Sequence, residues 1–177
     1  MKNMKGRKNV YDHSEEEAPS IVEEAAVAYN VYNKSITEPL ALLGIHNDQG
    51  LHNIENTADF ITYIRAGVPK KALDHLAEEI DLSAAEVASI IHTSDRTLRR
   101  YTPSQKLNTE QSERVIELAR LYARGADVFE TLEQFKIWMA SPVGALGGKK
   151  PKEFLDTSLG IAMLIEELGR IEHGVFA

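Results

Sequence analysis

Leu82-Ser83-Ala84-Ala85-Glu86-Val87-Ala88-Ser89-Ile90-Ile91-His92-Thr93-Ser94-Asp95-Arg96-Thr97-Leu98-Arg99-Arg100-Tyr101 holds two helix starts separated by one tight turn. Ser83 with Glu86 three residues on is a capping box: the hydroxyl takes an orphan N–H and the carboxylate reaches back. Val87, Ile90 and Ile91 follow as an apolar stripe at helical spacing. His92-Thr93-Ser94 breaks the stripe, and Thr93 or Ser94 is placed to cap a second helix over residues 95–100 with Leu98 as its inward anchor. Thr102-Pro103 stops it, because the residue before a proline is pushed out of the α region. Two short helices joined by a tight turn predict a helix-turn-helix.

The second helix carries the chemistry. Thr93, Ser94, Arg96, Thr97, Arg99 and Arg100 crowd around one buried leucine. Guanidinium forks fit guanine edges and phosphates, and hydroxyls fit phosphates. These six residues are the candidate DNA contacts. The competing reading is a solvated face whose arginines pair with carboxylates, of which Asp95 is the local one.

The net charge of −7 runs against nucleic-acid binding until its distribution is considered. Residues 1–69 carry 6 basic and 10 acidic side chains, residues 70–106 carry 6 and 6, and residues 107–177 carry 8 and 11. Within the middle block Arg96, Arg99, Arg100 and Lys106 cluster after the acids. The footprint is local, non-specific affinity is modest, and useful binding calls for a dimer. The 177 residues suffice for one domain or two small ones. No run approaches the length of a membrane span, and no apolar run follows the basic N-terminus as in a secretory signal. The absence of cysteine removes disulfides, thiolate zinc sites and a cysteine nucleophile, and fits a cytoplasmic protein.

Working outward, residues 1–8 read as a basic arm. A helix is expected over residues 20–33, with Ile21, Ala25, Ala28 and Tyr32 on one face, then a short apolar piece over residues 39–45. His46, Asp48, His52 and Asn53 follow in a polar loop without metal-ligand spacing. Asn56 or Thr57 opens a helix with Phe60, Ile61 and Ile64 inward and Gly67 as its stop; Pro69 precedes another with the stripe Ala72, Leu76 and Ile80. Beyond Pro103, Asn108 with Gln111 starts a long helix carrying Val115, Leu118, Ala119 and Tyr122, with Gly125 as terminator. Thr131 with Gln134 is another capping box and starts the next, with Leu132, Phe135, Trp138 and Met139. A glycine-rich loop spans residues 143–150, and Ile161, Leu164, Ile165, Leu168 and Ile171 define a last helix ended by Gly174. No stretch alternates at period two, so the fold class is all-α.

Catalysis finds little support. Gly144 to Gly148 leaves three residues where a phosphate loop needs four, Lys150 stands where its hydroxyl belongs, and no strand precedes it. The histidines form no metal-helix pair, and no glycine-flanked nucleophilic serine occurs. The residues imply no enzyme, no metal and no cofactor.

The C-terminal half resembles the toxin-binding domain of the Xre/MbcA/ParS antitoxin family. The matching residues are Val128-Phe129, Phe135-x-x-Trp138-Met139, Ser141-Pro142, Ala145-Leu146-Gly147-Gly148, Pro151-x-x-Phe154-Leu155-Asp156-Thr157, Gly160, Leu168-Gly169-Arg170-Ile171-Glu172 and Gly174, within residues 109–176. Residues 82–100 resemble the Xre-like region that precedes it, through Arg96-Thr97-Leu98-Arg99-Arg100. One departure is Glu130, where a glycine often follows the Val-Phe pair, so a slightly different turn is expected there. Residues and resemblance together divide the chain into an N-terminal arm and helices over residues 1–66, an Xre-like helix-turn-helix over 67–107 and a toxin-binding domain over 108–177, the first of these resting on the residues. The resemblance implies a type II antitoxin that binds its operator DNA, forms a homodimer and neutralises a RES-domain toxin that consumes NAD⁺ or ADP-ribosylates targets. Candidate toxin contacts are the loop residues Ala145, Leu146, Gly147, Gly148 and Lys149, and the C-terminal residues Arg170, Glu172, Gly174, Val175, Phe176 and Ala177. The competing reading is a helix-turn-helix repressor whose C-terminal helices only dimerise or bind a small ligand. Co-expression with the neighbouring gene product separates the two.

Overall fold

In the computed structural model, which describes residues 21–45 and 54–174, the protein is all-α. α1 (Ile21–Leu42) is one helix, where the sequence pattern gave a helix and a separate apolar piece. It runs on through Pro39, which removes a ladder hydrogen bond and costs about 3 kcal/mol inside a helix. Ile36, Leu40 and Leu43 are all buried, and at roughly 1.5–3 kcal/mol each their burial outweighs the proline. His75 Nδ1 donates to the Leu42 carbonyl at 3.0 Å and satisfies one end of the helix. Of the face expected ahead of Ile36, Ala28 is described and does not turn inward. Ala28 is exposed, as are Val27, Tyr29 and Val31, because this half of α1 extends past the elements that bury the rest.

α2 (Thr57–Ala66) starts on a capping box in which Asn56 accepts from Asp59 N and Asp59 accepts from Asn56 N. Phe60 and Tyr63 turn inward, and Ile61 lies outside the core. Gly67 ends the helix at φ +87°, and a Cβ there would come 2.7 Å from the Leu107 carbonyl. Lys106 Nζ donates to the Ala66 carbonyl at 2.9 Å, so this cation caps α2 and leaves the basic footprint assigned to it from sequence. α3 (Lys70–Glu79) buries Ala72, Leu73 and Leu76. The strap over residues 102–107 returns to the start of α3: Lys71 N donates to Pro103 O, Lys70 N to Gln105 O and Leu107 N to Val68 O, each at 2.9 Å.

α4 (Ala84–Ile90) and α5 (Asp95–Leu98) follow, then α6 (Thr109–Val128), α7 (Leu132–Ala140) and α8 (Ser158–Glu172). Two short 3-10 turns, Gly144–Leu146 and Pro151–Phe154, join the last two helices. α6 is the centre of the molecule: α1, α2, α7 and α8 all pack on it. Its buried residues therefore extend beyond the expected stripe to Ile116, Leu121, Ala123 and the polar Gln111, Ser112 and Arg114. Gly125 does not terminate it. It lies inside the helix, where a Cβ would fall 2.4 Å from the Phe135 ring, and the helix runs three residues further. Phe135 sits edge-on to Tyr122 at 5.2 Å between centroids and stacks on Trp138 at 5.6 Å. The buried residues of α1 to α8 form one continuous apolar cluster.

Candidate nucleic-acid and partner interfaces

α4 begins on the expected capping box. Ser83 N and Oγ both donate to Glu86 Oε2, at 2.9 and 2.7 Å, and Ser83 Oγ accepts from Glu86 N. The Ser83 bonds, and after them Lys152, hold the Glu86 carboxyl below its usual range. The turn is made at His92, with φ +54°, a conformation His tolerates better than most residues. Ser94, not Thr93, caps α5: its Oγ accepts from Thr97 N at 3.0 Å and pairs with Thr97 Oγ1 at 2.8 Å.

α5 is a single turn, shorter than the expected helix over residues 95–100. After Leu98 the chain tightens into i to i+3 bonds, Arg100 N to Thr97 O and Tyr101 N to Leu98 O. Ser94, Arg96, Thr97, Arg99 and Arg100 are exposed, Thr93 is half-buried and Leu98 is buried. Arg99 Nε donates to both Asp95 oxygens at 2.9 Å. Among the described residues Arg96 and Arg100 have no carboxylate partner. The competing reading of a paired, solvated face thus holds for one arginine of three.

The glycine loop closes on itself. Val143 N donates to Lys149 O at 3.0 Å and Gly148 N to Val143 O at 2.9 Å, with Gly147 and Gly148 at φ +67° and +76°. Ala145, Gly147, Gly148 and Lys149 are exposed, whereas Leu146 is buried in the chain's own core. Lys149 Nζ lies 5.8 Å from the centroid of the Phe154 ring. A Cβ at Gly144, Gly147 or Gly148 would meet nothing within 4 Å, so this backbone is open to approach. Arg170 is paired with Glu167, Glu172 with Arg124 of α6, and Gly174 is exposed at φ +65°. Among the described residues no hydrogen bond or ion pair joins this end to the glycine loop. Val175, Phe176 and Ala177 lie outside the described residues, as do residues 1–8 and the loop with His46, Asp48, His52 and Asn53.

Three features escaped the sequence reading. Leu159 and Ile165 of α8 stand 81% and 42% exposed. A groove of about 680 Å³ runs between α1, α6 and α8, lined by Val31, Pro39, Arg124, Ser158, Ala162 and Ile165 among others. The third is Arg114, whose side chain is buried on α6. It donates from Nε to Ile90 O at 3.3 Å, from one terminal nitrogen to Glu117 Oε2 at 2.8 Å and Ser158 Oγ at 2.9 Å, and from the other to Leu155 O at 2.6 Å. A charged residue beside Val115 on an inward stripe was the available signal. No group of His, Asp and Glu among the described residues is arranged to hold a metal ion, and no described helix is long and apolar enough to cross a membrane.

Comparison with known proteins places these elements. Residues 59–120 match the antitoxin Xre-like helix-turn-helix domain, and residues 124–174 match the antitoxin Xre/MbcA/ParS C-terminal toxin-binding domain. The Prs ADP-ribosylating antitoxin of Sphingobium sp. (strain YBL2) is 30% identical over 129 residues, covering 67% of this chain and 81% of the relative. Antitoxin Xre of Yersinia enterocolitica is 29% identical over 116 residues, covering 64% of this chain and 78% of the relative. The crystal structure of the M. tuberculosis MbcT-MbcA toxin-antitoxin complex includes a chain 25% identical to this one, with a TM-score of 0.44 over 61% of this chain and 96% of that one. The chain belongs to the Xre/MbcA/ParS antitoxins, with an Xre-like helix-turn-helix followed by a toxin-binding domain.

Proposed function

We propose that this antitoxin neutralises a RES-domain toxin, an enzyme that consumes NAD⁺ or transfers ADP-ribose, and represses its own operon as a homodimer in the cytoplasm without catalysing a reaction itself. The α4–turn–α5 unit, with the strap that follows, is the operator element, and the division of labour falls near residues 103–108. The observation that carries the partner half is the surface of the stretch matched by the toxin-binding domain: Leu159 and Ile165 are unburied and the glycine loop is open. The name of the Sphingobium relative, which joins ADP-ribosylation to an antitoxin, supports this class of toxin.

On this reading Ala145, Gly147, Gly148 and Lys149 approach the toxin through their backbone, and buried Leu146 fixes the loop beneath them. Arg170 and Glu172 anchor the rim, and Gly174 releases Val175, Phe176 and Ala177 toward the toxin's NAD⁺ pocket. Burying Phe176 contributes roughly 1.5–3 kcal/mol. The test measures NAD⁺ consumption by a RES-domain toxin with the full chain and with a chain lacking residues 174–177. The full chain should abolish consumption; the truncated chain should bind more weakly and leave the toxin active. Full inhibition by the truncated chain would move the blockade to another surface, and no inhibition by the full chain would overturn the partner.

A further inference from the structure

The helix-turn-helix is fastened to the toxin-binding region by polar forks. Arg114 holds the Ile90 carbonyl at the end of α4 through Nε and, through its two terminal nitrogens, the Leu155 carbonyl before α8 and the Ser158 hydroxyl at its start. His92, at the turn before α5, donates from Nε2 to the Asp156 carbonyl at 2.8 Å, and its Nδ1 lies 3.6 Å from Glu110 Oε1. Lys152 pairs with Glu86 of α4 at 3.2 Å. All three contacts land on residues 152–158.

A planar guanidinium satisfies two carbonyls from different elements at only one spacing between them. Apolar packing would hold the same seam at lower desolvation cost, whereas directional forks specify one arrangement. A shift of residues 155–158 must therefore either carry α4 and the turn with it or break bonds to a buried charge. The outer end of the seam is accessible: exposed Leu159 directly follows Ser158, and Ser158 lines the groove between α1, α6 and α8.

We infer that Arg114 and His92 are positioning residues through which occupancy of the toxin-binding region sets the affinity of the α5 turn for operator DNA. The inference rests on the reading that this region engages a RES-domain toxin. Coupling of this kind is reciprocal, so DNA sets toxin affinity by the same factor.

The test uses the full chain, its own promoter fragment and a RES-domain toxin inactivated in its NAD⁺ site. Operator Kd is measured with and without saturating toxin, and the ratio is the readout. Irreversibly inactive protein scales both values and leaves the ratio alone, and a urea melt of each variant confirms that it is fully folded without toxin. The wild-type ratio should depart from unity by about fivefold or more, in either direction, and Arg114→Lys and His92→Asn should bring it within about twofold of unity while still binding toxin. Lysine keeps the charge without the fork, and asparagine tolerates the backbone of the turn without the reach of the ring. Should Arg114→Lys not fold, His92→Asn decides. A wild-type ratio of one with toxin bound, or a wild-type ratio retained in the variants, overturns the inference alone. A wild-type chain that binds no toxin overturns the partner reading and the inference together.

Discussion

Glu130 occupies the left-handed region at φ +68°. The turn before Thr131 thus holds a glutamate in a backbone conformation that glycine adopts without steric cost. Because a side chain in that region costs about 1–2 kcal/mol, Glu130→Gly should raise stability by about 1 kcal/mol in a urea melt, less whatever entropy glycine restores to the unfolded chain. An unchanged or lower midpoint would show that Glu130 is compensated elsewhere. Glu86 gives a pH-dependent prediction. Its carboxyl titrates lower in the folded protein than its ordinary value of 4.5, so its contribution is complete above that pH and is lost as the pH falls through the folded value. The stability gap between wild type and Glu86→Gln should be open at neutral pH and close on acidification, as read by urea melts from pH 7 down to about pH 3. A gap independent of pH would mean that the Ser83 bonds do not depend on the charge.

At the scale of elements, α5 is short and its arginines are unequal. Arg96 and Arg100 are unpaired among the described residues, while Arg99 must share its guanidinium with Asp95. Arg96→Ala or Arg100→Ala should cost about 1–3 kcal/mol of operator affinity, and Arg99→Ala less. Gel-shift titration checks the order, and Arg99→Ala as the most damaging of the three would reverse it. The caps at Asn56, Ser83 and Asn108 were legible in the sequence because capping is local chemistry within three residues, while at Thr131 only the hydroxyl's bond from Gln134 N forms and no return bond from Gln134 completes the expected box. What was not legible depended on distant partners. Pro39 and Gly125 look like punctuation in the sequence. They sit inside helices because Ile36, Leu40 and Leu43 reach the core in one case and the Phe135 ring needs the space in the other. Leu146 sits among glycines like a presented side chain, yet the loop turns it inward. The α5 turn itself could be read from Ser94 and Leu98; the seam that fastens it, through Arg114 and His92, could not.

For the whole molecule, the continuity of the core decides how the chain melts. Ser112 of α6 takes the Val68 N–H at 2.9 Å in a fully buried site, and Leu107, Val115, Tyr122 and Leu164 belong to the same apolar cluster. The helix-turn-helix and the toxin-binding region should therefore unfold together. A single calorimetric transition, with its enthalpy matching the van't Hoff value, is expected. Two resolved transitions would show that the regions are thermodynamically separate. It follows that substitutions at the two surfaces, rather than separation of the chain near residues 103–108, are the proper dissection of function.

The central position of α6 also bears on how the protein is made. A ribosome releases the chain from its N-terminus, so α4, the turn and α5 emerge before the helix that α2 packs on, and the Leu155 and Ser158 partners of Arg114 emerge later still. Until then Leu73, Leu76, Ile91 and Leu98 lack much of their cover. Nascent chains that expose apolar side chains in this way are sticky and readily cleaved. The α4–turn–α5 unit therefore gains its full packing only after residues 155–158 have been made, and a premature stop after α5 should leave a fragment for proteases.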